Sequence, residues 1–464
     1  MSVTTSAPTD SAAHRLKELC GDIVHLPGDP SYDAVRMPWN VAVDQRPAAV
    51  AVPASADQVA AVVRHCAVLG LRVAPQSTGH AAAALVQHDL DDVVVLRTGE
   101  LRGVTVDAER RVARVGGGTL WQEVVEAAAP HGLAALHGSS PDVAVAGYAL
   151  GGGIGWYARK LGLATNSITA VELVTADGEQ LRATTEENAE LFWAVRGGGG
   201  SFGVVTALEL RLFPIADAYA GMMLWDLQHA EKVVRHWAAW SATAPEEVTT
   251  ALRVMRFPPM PELPEFLRGR QLVVVDGAVL GDDERGAELV AGLRALEPEM
   301  DTFARTPAAA LSRLHMDPEG PTPSVGGSAC FDALTDGAVD AFLAAVGPGV
   351  QTSLMIAELR QLGGALGRPA PDGGALSMVP AAYLGFFVAI AATPEMAQQG
   401  MVDVARTTTA LEPWSNGKSF LNFAEGPADV AAAYEEGAWA RLRAVRSAVD
   451  PREVFLANHV VPGE

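Results

Sequence analysis

The first half of the chain alternates short apolar runs of strand character with segments of helical periodicity. Between Pro53 and Gly70, Val59, Val62, Val63 and Cys66 recur at helical spacing. Ser55, with Gln58 three residues later, forms a capping-box pattern at the start, and Gly70 ends the helix. The run Leu71 to Pro75 reads as a strand, and Gln76 to Ala84, all small or polar, as a loop. Strand-like segments follow at Val93–Leu96, Val104–Val106 and Val112–Val115. Thr119 and Gln122 form a second capping box, opening a helix that stops near Pro130. Ile168–Thr175 and Gln180–Ala183 flank Asp177-Gly178 and predict a hairpin. Asn188 to Arg196 predicts a short helix and Val204 to Phe213 a strand.

Near Pro214 the pattern changes to longer segments with more proline and less glycine. Alternation predicts strands at Thr249–Phe257 and Leu354–Leu362, and the chain closes with a helix over Asp429–Val449 ended by Asp450-Pro451. With 464 residues the chain exceeds one core, so a mixed α+β protein with an inserted second domain is expected.

Composition narrows the function. The chain is 49% hydrophobic and 19% charged, enough apolar residue to build large cores. A net charge of −21 excludes a nucleic-acid partner and disfavours anionic lipid, because both need a basic face. Cys20, Cys66 and Cys330 are widely spaced and suggest neither a disulfide framework nor a metal site; Cys66 reads as a small core residue. The first residues hold no apolar leader, and Ala381–Ala392 is too short to span a membrane, so a cytoplasmic protein is expected.

The chemistry concentrates in four loops, at 76–81, 116–119, 138–155 and 197–203, each combining glycine with serine or threonine. Glycine lets backbone N–H groups come close to phosphate oxygens, and four such loops imply a large, extended, polyanionic cofactor. Gly153-Ile-Gly155-Trp-Tyr-Ala158 matches the G-x-G-x-x-A dinucleotide fingerprint. That motif needs a preceding strand, and Gly147 to Gly153 is a poor one; Glu172, the acidic candidate, sits inside Val171–Val174 rather than at a strand end.

Four segments together carry a resemblance. They are Ser77-Thr-Gly-His80, the run Gly138 to Gly155, the run Glu190 to Val205, and Asp450 to His459. In this order they resemble FAD-linked oxidases of the vanillyl-alcohol oxidase superfamily, with PCMH-type FAD-binding domains, in the berberine-bridge-enzyme-like branch and its bacterial members. The resemblance implies a two-subdomain FAD-binding domain, residues 1–214 returning at 411–464. A substrate domain of antiparallel sheet and helices, residues 215–410, would be inserted between them.

The resemblance also implies roles. His80 stands where the family links histidine covalently to the flavin. Ser140, before Pro141, stands where many relatives place a second, cysteinyl link, so a single bond is expected. Val143 occupies a position that influences access of O2, and valine there goes with oxidases. The remaining expected flavin contacts are Gln76, Ser77, Thr78, Gly79, Ser139, Gly147, Gly152, Gly153, Gly155, Val205 and Asn458, with His459 beside it. Phe420-Leu-Asn-Phe423 replaces the Tyr-x-Asn-Tyr motif that helps deprotonate substrate in many relatives, and phenylalanine transfers no proton.

Glu358 is then the first candidate for catalytic base, with burial raising its pKa, although Arg360 shares its strand face and offers a plain ion pair. Tyr148 is the second candidate, or an aromatic packed under the cofactor. Arg253 is read as a surface arginine or as a pocket cation. The function expected is oxidation of a C–O or C–N bond in a small organic substrate, with O2 reduced to H2O2. The alternatives are a dehydrogenase of the same fold using another acceptor, and a flavoprotein that sequesters a drug-like compound. The alanine-, glycine- and arginine-rich texture is that of a high-GC bacterium, where such enzymes often tailor secondary metabolites.

Overall fold

The computed structural model describes residues 11–261 and 263–464. The leader-free reading of the N-terminus falls partly on residues 1–10, outside the described residues.

Three sheets organise the described residues. In the first, Ala49–Ala51, Val93–Arg97 and Arg72–Gln76 run parallel, with Val24–His25 antiparallel at the edge. Ala56–Leu69 packs on it as a helix, for the reasons its sequence predicts. Ser55 Oγ accepts the Gln58 N–H at 3.3 Å, Gln58 reaches back to the Ala54 N–H at 2.7 Å, and Gly70 closes the helix in the left-handed conformation. Val59, Val62, Val63 and Cys66 are fully buried beneath it.

The second sheet is antiparallel, in the order Val104–Asp107, Val112–Gly116, Val204–Arg211, Ile168–Val174, Gln180–Ala183. The hairpin across Asp177-Gly178 pairs Val171 with Ala183 and Val174 with Gln180. Its neighbouring helix starts at Trp121 rather than Thr119. Glu123 caps the Leu120 N–H at 3.0 Å, while the Thr119 hydroxyl bonds to Gly103 instead.

The third sheet has eight strands, all drawn from residues 217–390. Its two faces divide by the period-2 rule. On one, Val248, Leu252, Val254, Ala357 and Leu359 pack against helices Ala230–Ser241 and Asp336–Val346. The other face carries Arg253, Glu358 and Phe386, aligned across three neighbouring strands.

The C-terminal segment returns to the first sheet. The closing helix is shorter than expected, Glu436–Val449, with a separate turn at Ala431–Ala433. The carboxylate of Asp450 accepts the N–H groups of Val454 and Phe455, each at 2.9 Å, and pairs with Arg446 at 3.0 Å. Arg446 donates to the carbonyls of Ser201 and Phe455. Phe455 bridges to Val73 in the first sheet, so the Asp450–Phe455 motif is a docking device for the tail.

Candidate functional site

A cavity of about 410 Å3 opens where the glycine loops, the polar face of the large sheet and the tail meet. His80 lies on its wall. Gly79 before it has φ +87°, and a Cβ there would lie 2.7 Å from Pro38, so only glycine turns the chain this sharply. The ring of His80 stacks on Trp39, and Thr78 Oγ1 lies 2.8 Å from its Nδ1. Burial pushes the imidazole down to about 4, against the opposing pull of Asp142 and Asp317, so it is neutral near pH 7.

Gln76, Ser77, Thr78, Gly79, Ser139, Ser140, Val143, Gly147, Tyr148, Val205 and Asn458 all line the same cavity, as does His459. Gly152, Gly153 and Gly155 are not among its lining residues. They sit behind the wall, where a Cβ would strike Phe420, Tyr148 and the His137 carbonyl respectively. The supposed dinucleotide fingerprint fails for a related reason: a short helix, Val145–Leu150, precedes Gly153 where a strand is required. Glu172 pairs with Arg114 at 2.6 Å and does not line the cavity. The loop read over 76–84 also tightens into one helical turn at Ala82–Leu85.

Ser140 donates to Asp317 at 2.5 Å and Ser139 to the same oxygen at 3.2 Å. Tyr148 packs edge-on against Trp121, its hydroxyl buried without a partner, and burial pushes the phenol up. Phe423 faces the cavity, edge-on to Phe386, whereas Phe420 is buried behind it. Asn422 donates to the Tyr148 carbonyl at 3.0 Å and leaves its Oδ1 unpartnered.

Glu358 and Arg360 share the cavity face and form an ion pair at 2.6 Å. Burial would raise the Glu358 carboxyl, but Arg360 and His315 overcome it and hold the group well below the usual carboxylate range. The expected upward shift is therefore reversed. His315 joins from a loop with no periodic signal. Its Nε2 lies 3.6 Å from Glu358, and its Nδ1 lies 2.8 Å from Asp276, off-line for a hydrogen bond, so that contact is chiefly charge attraction. Burial and Arg253 work against the His315 charge, but Asp276, Asp317 and Glu358 prevail and raise it to about 9.

Arg253 is neither a surface residue nor a wall residue. It is buried, paired with Asp276, and donates to the His315 carbonyl at 2.8 Å. Sequence reasoning also missed Trp39, Asp317 and Glu425, all on the wall. Glu425 stands two residues beyond the inspected Phe420–Phe423 segment, in irregular chain where no period marks a buried face.

The wall suits an extended cofactor with a polyanionic end. Glycine loops 197–200 and 138–139 supply backbone at close range, and Arg360 is the one arginine or lysine among the described lining residues. A phosphate there would be held by backbone N–H groups rather than side-chain cations. Tyr148 Oη and Asn422 Oδ1 offer unpartnered polar atoms for a ring edge.

Residues 47–184 match the family described as FAD binding domain. The chain is 37% identical over 206 residues to (R)-6-hydroxynicotine oxidase of Paenarthrobacter nicotinovorans, covering 44% of each protein. It is 32% identical over 206 residues to xylooligosaccharide oxidase of Thermothelomyces thermophilus, covering 44% of this chain and 41% of that one. The matches thus span less than half the length of these curated relatives. The crystal structure of 6-hydroxy-D-nicotine oxidase from Arthrobacter nicotinovorans superposes with a TM-score of 0.80 at 25% identity, covering 93% of this chain and 96% of that chain. Physcomitrella patens BBE-like 1 superposes with a TM-score of 0.83 at 21% identity, covering 97% and 99%. The chain therefore contains an FAD binding domain and carries the mixed α+β fold of the PCMH-type FAD-binding oxidases.

Proposed function

We propose that the protein is an FAD-dependent oxidase, its flavin bonded to His80 alone, that oxidises a C–O or C–N bond of a small organic substrate. The observation that carries this reading is His80 itself: a neutral imidazole, clamped by Trp39 and Thr78, on the wall where the glycine loops converge. Neutrality is what a histidine needs to act as a nucleophile. None of Cys20, Cys66 and Cys330 lines the cavity, and Ser140 is engaged with Asp317, which supports one covalent bond rather than two. When bound, the flavin supplies two-electron oxidation and hands the electrons to O2, giving H2O2.

The protein's own groups then divide the work. Ser77, Thr78 and the backbone of the 138–139 and 197–200 loops hold the cofactor. Glu358, kept ionised by Arg360 and His315, is a proton acceptor of low basicity. Tyr148, kept protonated, is a donor. Val143 lines the cavity and leaves room for O2 where a larger side chain would fill it. In this reading the flavin-holding part comprises residues 1–214 and 411–464, and residues 215–410 contribute most of the substrate face, with residues 421–425 completing it. Among the described residues no helix is long and apolar enough to cross a membrane.

Acid precipitation tests the covalent bond: a yellow pellet, with protein mass increased by that of FAD, is expected. A white pellet with all flavin in the supernatant overturns it. Mixing dithionite-reduced protein with air tests the oxidase claim, and reoxidation over many minutes would assign a dehydrogenase instead.

A further inference from the structure

The substrate end of the cavity is walled by Ile356, Phe386, Val388, Leu421 and Phe423. A carbohydrate carries a hydroxyl on nearly every carbon, and burying these against such a wall leaves them without partners, at substantial cost. The charged groups on this wall are nearly all engaged. Glu358 is paired with Arg360 and His315, and Asp317 accepts from Ser139 and Ser140.

Glu425 is different. Its Oε2 is buried without a hydrogen-bond partner. The carboxyl is pressed against the strand Ser324–Phe331 at Gly326, where a Cβ would lie 2.6 Å from Oε2, so the strand is bare where the acid sits. The neighbouring Ala424 carbonyl lies 3.0 Å from His459 Nε2, which ties this segment to the tail.

We propose that Glu425 recognises the substrate, as the anion that pairs with a protonated amine on an otherwise apolar molecule. The inference rests on the oxidase reading and narrows it to oxidation beside nitrogen. Burial with no compensating cation pushes the Glu425 carboxyl up to about 7, and an ammonium on the cavity side of the carboxyl supplies the missing charge. A carboxyl so poised also takes the amine's proton: an N–H bond breaks, an O–H bond forms, and the neutral amine is released to the cavity. The strands at Gly326 and Val388 bring no titratable group to it. His459 is held low by burial and cannot replace the cation, and Glu358 and Arg360 are already paired with each other.

The test is calorimetric titration of the flavin-loaded protein with cumylamine, which lacks a hydrogen on the carbon beside nitrogen and so cannot be oxidised there. Its isostere 2-phenyl-2-propanol serves as the uncharged control. At pH 8 the amine should bind about tenfold or more tightly than the alcohol, the scale of one charge-assisted hydrogen bond. Glu425→Gln should remove that preference and leave alcohol binding unchanged, while Glu425→Asp should keep part of it. For the native protein, amine binding should weaken below about pH 7, as Glu425 is protonated. Equal affinity for the two ligands, or loss of both in Glu425→Gln, overturns the proposal. A white acid pellet beside an intact amine preference would instead fail the covalent-flavin reading alone.

Discussion

Trp39 lies flat on His80, ring centroids 4.1 Å apart and planes 18° from parallel. The indole is itself held from below, its Nε1 donating to Asp142 at 2.7 Å, and the same Asp142 oxygen accepts the Gly320 N–H at 2.8 Å. Three remote segments thus fix one imidazole. Trp39→Ala should free the ring and lower the fraction of flavin retained after acid precipitation, whereas Trp39→Phe, which keeps a stacking face, should retain most of it. His80→Ala should abolish retention while the fold persists, read by circular dichroism.

The buried charges at the sheet face make a stability prediction. Removing one partner of a buried ion pair leaves the other uncompensated, a loss of about 3–5 kcal/mol. Arg360→Met should cost on that order in denaturant unfolding, while the double variant Arg360→Met with Glu358→Leu should recover much of it. Recovery would show that the pair is kept for the site and not for the fold.

The pH dependence of stability follows from the same cluster. His315 is raised to about 9 from an unfolded value of about 6.5, so its stabilisation is complete below about pH 6.5 and is lost as pH rises through about 9. Glu358 is depressed, so its share is present above the unfolded carboxylate value of about 4.3 and is lost on acidification below it. His315→Gln should flatten the alkaline limb of a melting-temperature profile and reduce the acid limb without abolishing it, because Arg360 alone then holds Glu358 low.

Asp450→Asn should weaken the tail's dock, because one carboxylate there serves two N–H groups and Arg446. The expected loss is again about 3–5 kcal/mol. Limited proteolysis should cut near residues 456–464 in the variant before it cuts elsewhere.

Val143→Leu should slow reoxidation of the reduced protein in air while leaving anaerobic reduction by substrate unchanged, since the change fills cavity space beside the flavin loops. Stopped-flow measurement of the two half-reactions separates the effects.

Regular elements were legible wherever period and punctuation coincided. Ser55, Gln58 and Gly70 mark both ends of one helix, and alternation from Leu354 to Leu362 places Glu358 and Arg360 on one face. The helix Val145–Leu150 was not legible, because alanine and glycine all round leave no polar side to define a period. The second helix start slipped from Thr119 to Trp121 because Glu123, not Gln122, reaches back to the backbone. Within the site, His80 was singled out by the resemblance its Gly-His segment carries, and Glu358 by the alternation of its strand. His315, Asp317 and Glu425 come from irregular chain, and only folding brings them to the cavity.

The two faces of the large sheet have a consequence for how such a protein diversifies. Positions 357 and 359 belong to the oil that keeps the molecule folded, and their neighbours 356, 358 and 360 to the wall of the cavity. A lineage can therefore rewrite every second letter of one strand and acquire a new diet, while the scaffold that grips the flavin is inherited unchanged.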